Sequence, residues 1–393
     1  MFTRKHLGYY EVNGNIYRNK TMALQACPDG QYPHWNFNED VFDKFDWTVE
    51  PTEDLYEIYK QRAIQLREKY DYLVLYFSGG VDSTTVLRTF VDNNIRLDAV
   101  IAYGRHIHDE AGRRSNPEIA NAAIPYIQQL ERQLNIKVPF HLVDDMPLFK
   151  NYRDESWVYS TNGGTLSPET YVYNFHIQVP EIQEILMKGR TALIRGVDKP
   201  RLRYDNASNR WMMQFLDKQT GGFHTSGLSD YNNTWYEVEY FFWARDMPKL
   251  LAKQAHIIKN YFEKKNDIAL RNQLFADAAE GFRHTEYYKW TDPLVYSKYI
   301  PYQLPGQSRT YFSLLKSTMI NAMDKDQIFL HTGEKENIDV WKSGIRFVHD
   351  SINHRFMDGK NSEGYVTLDS FIENGFTGSW SKPYYLSKSW SKS

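Results

Sequence analysis

With 393 residues and a formal net charge of −2, the chain is long enough for a large core in two or three domains, and no global charge imbalance argues for a nucleic-acid or anionic-membrane partner. A single cysteine, Cys27, excludes an internal disulfide, a CxxC redox pair and a cysteine-rich zinc site within one chain, which fits a reducing cytoplasm. The N-terminus lacks the apolar core of a signal peptide, and no run approaches the ~18 apolar residues of a membrane helix, so a cytoplasmic location without a membrane partner is expected. Aromatic residues make up 16%, which is read as an aromatic-rich core with bonded tyrosine hydroxyls rather than a set of base-stacking platforms.

In chain order, residues 8–50 alternate short strand-like pieces with turns. Asn13-Gly14 between two of them signals a hairpin, and a short helix is expected around Thr21–Gln25. Residues 1–53 are too few and too polar to fold alone and are read as an N-terminal extension packed on the main domain. From Asp54 to Tyr70 the spacing predicts a helix, with Leu55, Ile58, Tyr59, Ala63, Ile64 and Leu66 on one apolar face. The run 71–77 then reads as a strand buried on both faces, and Val86, Leu87 and Phe90 fall at helical spacing after the loop Ser78-Gly79-Gly80-Val81-Asp82-Ser83.

Leu97–Tyr103, Val138–Val143 and Thr191–Ile194 read as further buried strands. Between them lie a helix over Pro117–Leu134 and a helical stretch near Pro180–Lys188. Strands alternating with helices indicate β-α-β units, hence an α/β, Rossmann-like parallel sheet with helices on both faces, built from residues 54–202. In such sheets ligands bind at the carboxyl ends of the strands, where the 78–83 loop, Gly104 and Gly196 all lie. Residues 203–243 change texture and suggest short antiparallel strands or an irregular insertion. A strong helix runs from Asp246 to about Lys264, and the remainder of the aromatic-rich C-terminal region, 203–393, mixes turns and short helices. The final dozen residues read as a loose or docked tail.

The 78–83 loop lacks the Gly-Lys-Ser/Thr ending of a Walker loop and is not a dinucleotide fingerprint. On the residues alone it is either an anion site at a helix N-terminus or a tight turn with an Asp/Ser cap. Following a hydrophobic strand and preceding a helix, however, it matches SGGxDS, and here the chain resembles the PP-loop ATP pyrophosphatases, the adenine nucleotide alpha-hydrolase-like (HUP-type) group. That group includes asparagine, argininosuccinate, GMP and NAD synthetases, the tRNA lysidine and thiouridine enzymes and PAPS reductases. The aromatic-rich C-terminal half is also similar to phage-encoded, asparagine-synthetase-like PP-loop proteins, which would place the chain in a host cytoplasm.

The resemblance implies ATP and Mg²⁺ as ligands. Glycines 79 and 80 let the backbone approach a pyrophosphate, Ser78 and Ser83 add hydroxyl donors, Val81 completes the loop, and Asp82 acts in catalysis and helps hold Mg²⁺. The segment Arg195-Gly196-Val197-Asp198-Lys199-Pro200-Arg201 becomes a second wall, with Asp198 a metal ligand and Lys199 and Arg201 phosphate clamps. Between Lys188 and Arg210 seven basic residues face two acidic ones, which also fits a solvated loop or a nucleic-acid patch. Ala102-Tyr103-Gly104 is where the family recognises adenine, with Tyr103 and Phe77 flanking base or ribose.

Other candidates read more plainly. His106, His108 and Asp109, and likewise His349, Asp350 and His354, are taken as polar loops rather than metal ligands, since no further ligand follows by spacing. Residues 160–165 are a lid or an ordinary surface loop, and Glu118 faces the nucleotide or complements a helix dipole. His256 and Lys253 are read as a packed histidine and a snorkelling lysine. Having only Cys27 disfavours sulfur transfer, and Phe2 in place of a cysteine argues against a fused glutaminase. The expectation is an ATP-dependent, ligase- or amidotransferase-like enzyme that adenylates a substrate oxygen with release of pyrophosphate, then transfers an amine or ammonia to an unidentified acceptor. The alternatives are a tRNA- or DNA-base-modifying enzyme and an ATP- or AMP-binding module without turnover.

Overall fold

The computed structural model describes residues 8–17, 20–28, 31, 33–104, 107–110, 113, 116, 118–144, 158, 180–196, 199–215, 236–275, 284–296, 298, 339, 343–351 and 380–388. Strands β1 (Tyr9–Val12) and β2 (Asn15–Tyr17) form the expected hairpin. Asn13 and Gly14 have φ of 50° and 79°, the left-handed pair whose twist matches that of the flanking strands. After α1 (Lys20–Ala26), β3 (His34–Asn36) pairs antiparallel with the other edge of β1, so the N-terminal segment is a three-stranded sheet. A short α2 (Glu39–Phe42) follows.

Helix α3 (Leu55–Lys69) starts where the Asp54 carboxylate accepts a bond from the Tyr56 amide at 2.8 Å, and it ends at the extended Tyr70. Its buried face holds Leu55, Ile58, Tyr59, Ala63 and Leu66 as expected, but Ile64 is exposed and Arg62 is fully buried instead.

The centre of the fold is a five-stranded, wholly parallel sheet flanked by helices, compatible with a Rossmann-like fold. It comprises β4 (Tyr72–Tyr76), β5 (Ala99–Gly104), β6 (Phe140–Asp144), β7 (Thr191–Arg195) and β10 (Tyr236–Tyr240), in the order β10-β7-β4-β5-β6. The chain enters at the middle strand, moves outward through β5 and β6, then returns to place β7 and β10 on the other side of β4. Four of these strands are the apolar runs of the sequence. The fifth, β10, lies in the segment expected to be antiparallel or irregular, yet pairs parallel with β7 throughout.

Between β4 and β5 runs α4 (Val81–Asp92), whose buried Thr85 and Thr89 hydroxyls bond back to the carbonyls of Val81 and Thr85 at 2.8 Å. Between β5 and β6 the expected single helix is divided. A π-helical turn, Ile119–Ala123, precedes α5 (Ile124–Leu134), and the Ile124 amide reaches the carbonyl of Ile119. Pro125 has no amide to donate, and the wider turn immediately before it accommodates that loss. Helix α6 (Pro180–Leu186) leads into β7.

Beyond β7, β8 (Arg201–Asp205) and β9 (Arg210–Gln214) form an antiparallel hairpin. Helices α7 (Pro248–Lys265), α8 (Ile268–Phe275) and α9 (His284–Tyr296) follow β10, and residues 343–351 are helical. Strand β11 (Tyr384–Tyr385) docks antiparallel on β9, so this part of the tail is built into a sheet. Tyr384 joins Phe42, Trp47 and Phe215 in an aromatic cluster with ring centroids 5.2–6.4 Å apart, fastening N-terminal, middle and C-terminal segments together. Among the described residues no helix is long and apolar enough to cross a membrane.

Candidate functional site

The strand order reverses between β4 and β7, and a crevice opens at such a switch point beyond the carboxyl ends of the two strands. Tyr76 and Arg195, the last residues of β4 and β7, are in register, so the loops that follow them meet. One is Ser78–Ser83 and the other begins at Gly196.

The loop's shape follows from its residues. Gly79 sits at φ +76°, and a Cβ there would lie 2.6 Å from the Ala123 nitrogen in the π turn, so that turn packs against bare backbone. The Ser78 hydroxyl accepts from the Gly80 amide at 3.3 Å, the Ser78 amide donates to Ser83 Oγ at 3.3 Å, and Ser83 Oγ donates to the Gly80 carbonyl at 3.2 Å. Gly80 is the N-cap of α4 and has no side chain to cap it, which leaves the first-turn amides, beginning at Val81, facing the loop. Asp82 stands in that first turn, half-buried. From the other side a Cβ on Gly196 would lie 3.0 Å from the Ser83 nitrogen and 3.1 Å from the Asp82 carbonyl carbon. At the end of β5, a Cβ on Gly104 would lie 2.7 Å from Asn116 Oδ1. All three strand ends therefore carry a glycine packed closely against another chain segment, most tightly at Gly79, where the neighbour is backbone.

The structure brings together Ser78–Ser83 and Gly196 and distributes the other expected site residues. Phe77 is buried with its ring 6.0 Å from that of Tyr126 on α5, whereas Tyr103 is half-buried at 6.0 Å from Tyr76. Because Tyr76 pairs with Ile101, strand alternation puts Tyr103 on the Tyr76 side of the sheet and Phe77 on the opposite one. Arg195 is buried with its guanidinium 4.1 Å over the Tyr76 ring and in register with both Tyr76 and Tyr240. Burial pushes the Tyr76 hydroxyl up to about 12 and raises that of Tyr240 as well, against the opposing pull of the Arg195 charge.

Lys199 carries its ammonium into the interior, where it pairs with the Asp292 carboxylate beneath the ring of Tyr288. Arg201 opens β8 and is buried. Asp198 lies outside the described residues, as do His106, His354 and residues 160–165. Other cations of the 188–210 segment have partners within the chain, at the surface for Lys188. Lys188 bonds Glu184, Arg203 bonds Gln214 and lies over Trp380, and Arg210 lies over Tyr385.

His256 and Lys253 belong to the packing of α7 on residues 47–51. His256 Nε2–H donates to the Trp47 carbonyl at 2.9 Å and burial holds its pKa below the ordinary value, while Lys253 bonds Glu50 and the Pro51 carbonyl. Among the described residues no group of three or more His, Cys, Asp or Glu is placed to hold a metal ion.

Chemically, the crevice offers a turn of backbone N–H groups at the head of a 12-residue helix, two serine hydroxyls and one carboxylate, an arrangement suited to a polyanion. Residues not picked out from the sequence also bear on it. The π turn at Ala123 walls the loop, and Tyr287 and Asp292 of α9 hold the segment that follows Gly196. Neither carries a motif by which it could have been found. Compared with protein-family models and with curated proteins, the chain matches none.

Proposed function

We propose that the chain binds ATP at the Ser78–Ser83 loop and splits it between the α- and β-phosphates as an ATP pyrophosphatase of the PP-loop kind. The observation that carries this reading is the glycine-walled loop at the head of α4, set at the switch point between β4 and β7. The loop suits a pyrophosphate because the first turn of α4 supplies N–H donors at its head. Its amides and the Ser78 hydroxyl orient the β- and γ-phosphates, the Ser83 hydroxyl holds the loop through the Gly80 carbonyl, and the α4 dipole favours the charge that gathers on the leaving group. Asp82 is the residue that would hold Mg²⁺ beside them, and the ion would supply charge neutralisation there.

In the proposed reaction a substrate oxygen, such as that of a carboxylate, attacks the α-phosphorus. The bond to the bridging oxygen breaks and pyrophosphate leaves with the electron pair. An amine or ammonia then displaces AMP from the adenylated acceptor. The chain's part is positioning and electrostatic stabilisation, with no covalent enzyme intermediate. Lys199 buried on Asp292, and Arg203 and Arg210 over Trp380 and Tyr385, weigh against the nucleic-acid alternative and favour a small acceptor.

The test is incubation with ATP labelled at the α-phosphate, Mg²⁺ and pooled carboxylate and amine acceptors. Labelled AMP with equimolar pyrophosphate is expected. ADP and phosphate without AMP would overturn the reading, and bound ATP with no exchange of labelled pyrophosphate would reduce the site to a binding module.

A further inference from the structure

The segment that joins β7 to β8 is fastened to one helix at consecutive residues. The Lys199 side chain is fully buried, with its ammonium on the Asp292 carboxylate and the rings of Tyr288, Tyr296 and Tyr287 centred 4.4, 5.3 and 5.7 Å away. The Tyr287 hydroxyl donates to the Pro200 carbonyl at 3.2 Å and accepts from the Leu202 amide at 3.3 Å, closing over Arg201 from both sides. All four partners stand on α9. That helix is tied to the body of the fold by the Tyr59 hydroxyl, which donates to the Val295 carbonyl at 3.1 Å, and by packing against α4 and α7. A few residues upstream of Lys199, Gly196 presses on the backbone of Asp82 and Ser83. Residues 199–202 are thus fastened to α9 three positions after the glycine that meets the head of α4.

We propose that α9 is a positioning element for the phosphate loop, with Asp292 and Tyr287 as positioning residues that set the Gly196 wall through Lys199 and Pro200. This rests on the reading of Ser78–Ser83 as an ATP site. A lysine whose charge is met by a carboxylate in hydrogen-bond contact inside a tyrosine cage lends no net positive charge to a phosphate; it acts through where it holds the chain. Helix α9 thus shapes the nucleotide site through the residues that it holds.

The distinguishing experiment compares Lys199→Met, Asp292→Leu, the double variant and Tyr287→Phe by melting, by calorimetric ATP affinity and by rate of AMP release. Each single change at the pair removes the hydrogen-bonded counter-charge of a buried partner and is expected to lower the melting temperature and weaken ATP binding by about tenfold or more. The double variant removes both charges and should restore melting and bring affinity and rate to within about threefold of the parent. Tyr287→Phe keeps the ring, loses both hydrogen bonds to the backbone, and should weaken ATP binding by roughly fivefold with little change in melting.

A double variant that melts like the parent but has lost ATP affinity or AMP release by about a hundredfold would overturn the proposal, because the Lys199 ammonium would then be meeting the phosphates itself. If the double variant does not fold, Tyr287→Phe decides, and unaltered ATP affinity in that variant overturns the proposal. A parent protein that binds no ATP sinks this proposal and the proposed function together, whereas a parent that binds and turns over ATP beside an inactive, folded double variant sinks this one alone.

Discussion

Two demands meet at Gly79. Its φ of +76° is in the left-handed region, and the space a side chain would fill belongs to the backbone of Ala123. Gly14 has nearly the same φ, +79°, with nothing within 4 Å of its Cβ position. The pair separates backbone strain from steric exclusion. Gly14→Ala should cost about 1 kcal/mol, the strain alone. Gly79→Ala must also displace the π turn, so a loss of roughly 2–4 kcal/mol is expected, with ATP affinity falling at least about tenfold. Melting and nucleotide titration of the two variants side by side check this, and equal costs at the two glycines would show that the Ala123 contact has no consequence.

At the scale of elements, α3 is tied to strand β10 by buried charge. Arg62 bonds Glu239 at 2.8 Å and the Tyr240 carbonyl at 3.1 Å, Lys69 bonds Glu239 at 2.7 Å, and the Tyr70 hydroxyl stands between Glu237 and Glu239. Burial and the two carboxylates push that hydroxyl far above its ordinary pKa. Arg62→Met would leave Glu239 buried without its main counter-charge and should cost about 3–5 kcal/mol in denaturant unfolding. A loss below about 1 kcal/mol would mean that Lys69 alone suffices.

The same cluster explains why β10 was hidden in the sequence. Tyr236-Glu-Val-Glu-Tyr240 alternates like a half-solvated antiparallel strand, because its glutamates find their cations on a helix more than 160 positions earlier. The other four strands were legible because their mainly apolar runs need no distant partner to be read. The loop was legible for a similar reason, since its glycines, serines and aspartate are contiguous. Lys199 shows the opposite case. Beside a glycine and an aspartate it resembles a phosphate clamp, but its partner Asp292 lies 93 positions away on a helix without clear period. Arg62 and Ile64 exchanged places for that reason too, since an ion pair across the fold outweighed local amphipathicity.

Among the described residues many aromatic rings pack into clusters that join distant segments. One cluster joins Phe42, Trp47, Phe215 and Tyr384, and another gathers Trp211, Phe262, Phe275 and Tyr287 beneath the β8–β9 hairpin. Tyr384 has further ties, since its hydroxyl bonds Asp43 at 3.1 Å and the neighbouring Lys382 pairs with the same carboxylate at 2.6 Å. Tyr384→Ala should therefore cost about 3–5 kcal/mol, a value typical of deleting a buried aromatic side chain. Global unfolding followed by tryptophan fluorescence would register it through Trp47, and a change under about 1 kcal/mol would show that the docked strand contributes little.

The docking of β11 also imposes an order on the birth of the molecule. Asp43 and Lys382 are 339 positions apart, so at ordinary rates of translation the N-terminal partners wait on the order of 20–70 s for the strand that seals them. All five strands of the parallel sheet are synthesised by residue 240, and the crevice at the switch point can assemble while that aromatic seam is still open. On the ribosome, the exposed rings of Phe42 and Trp47 are thus the surface on which a holding chaperone would act.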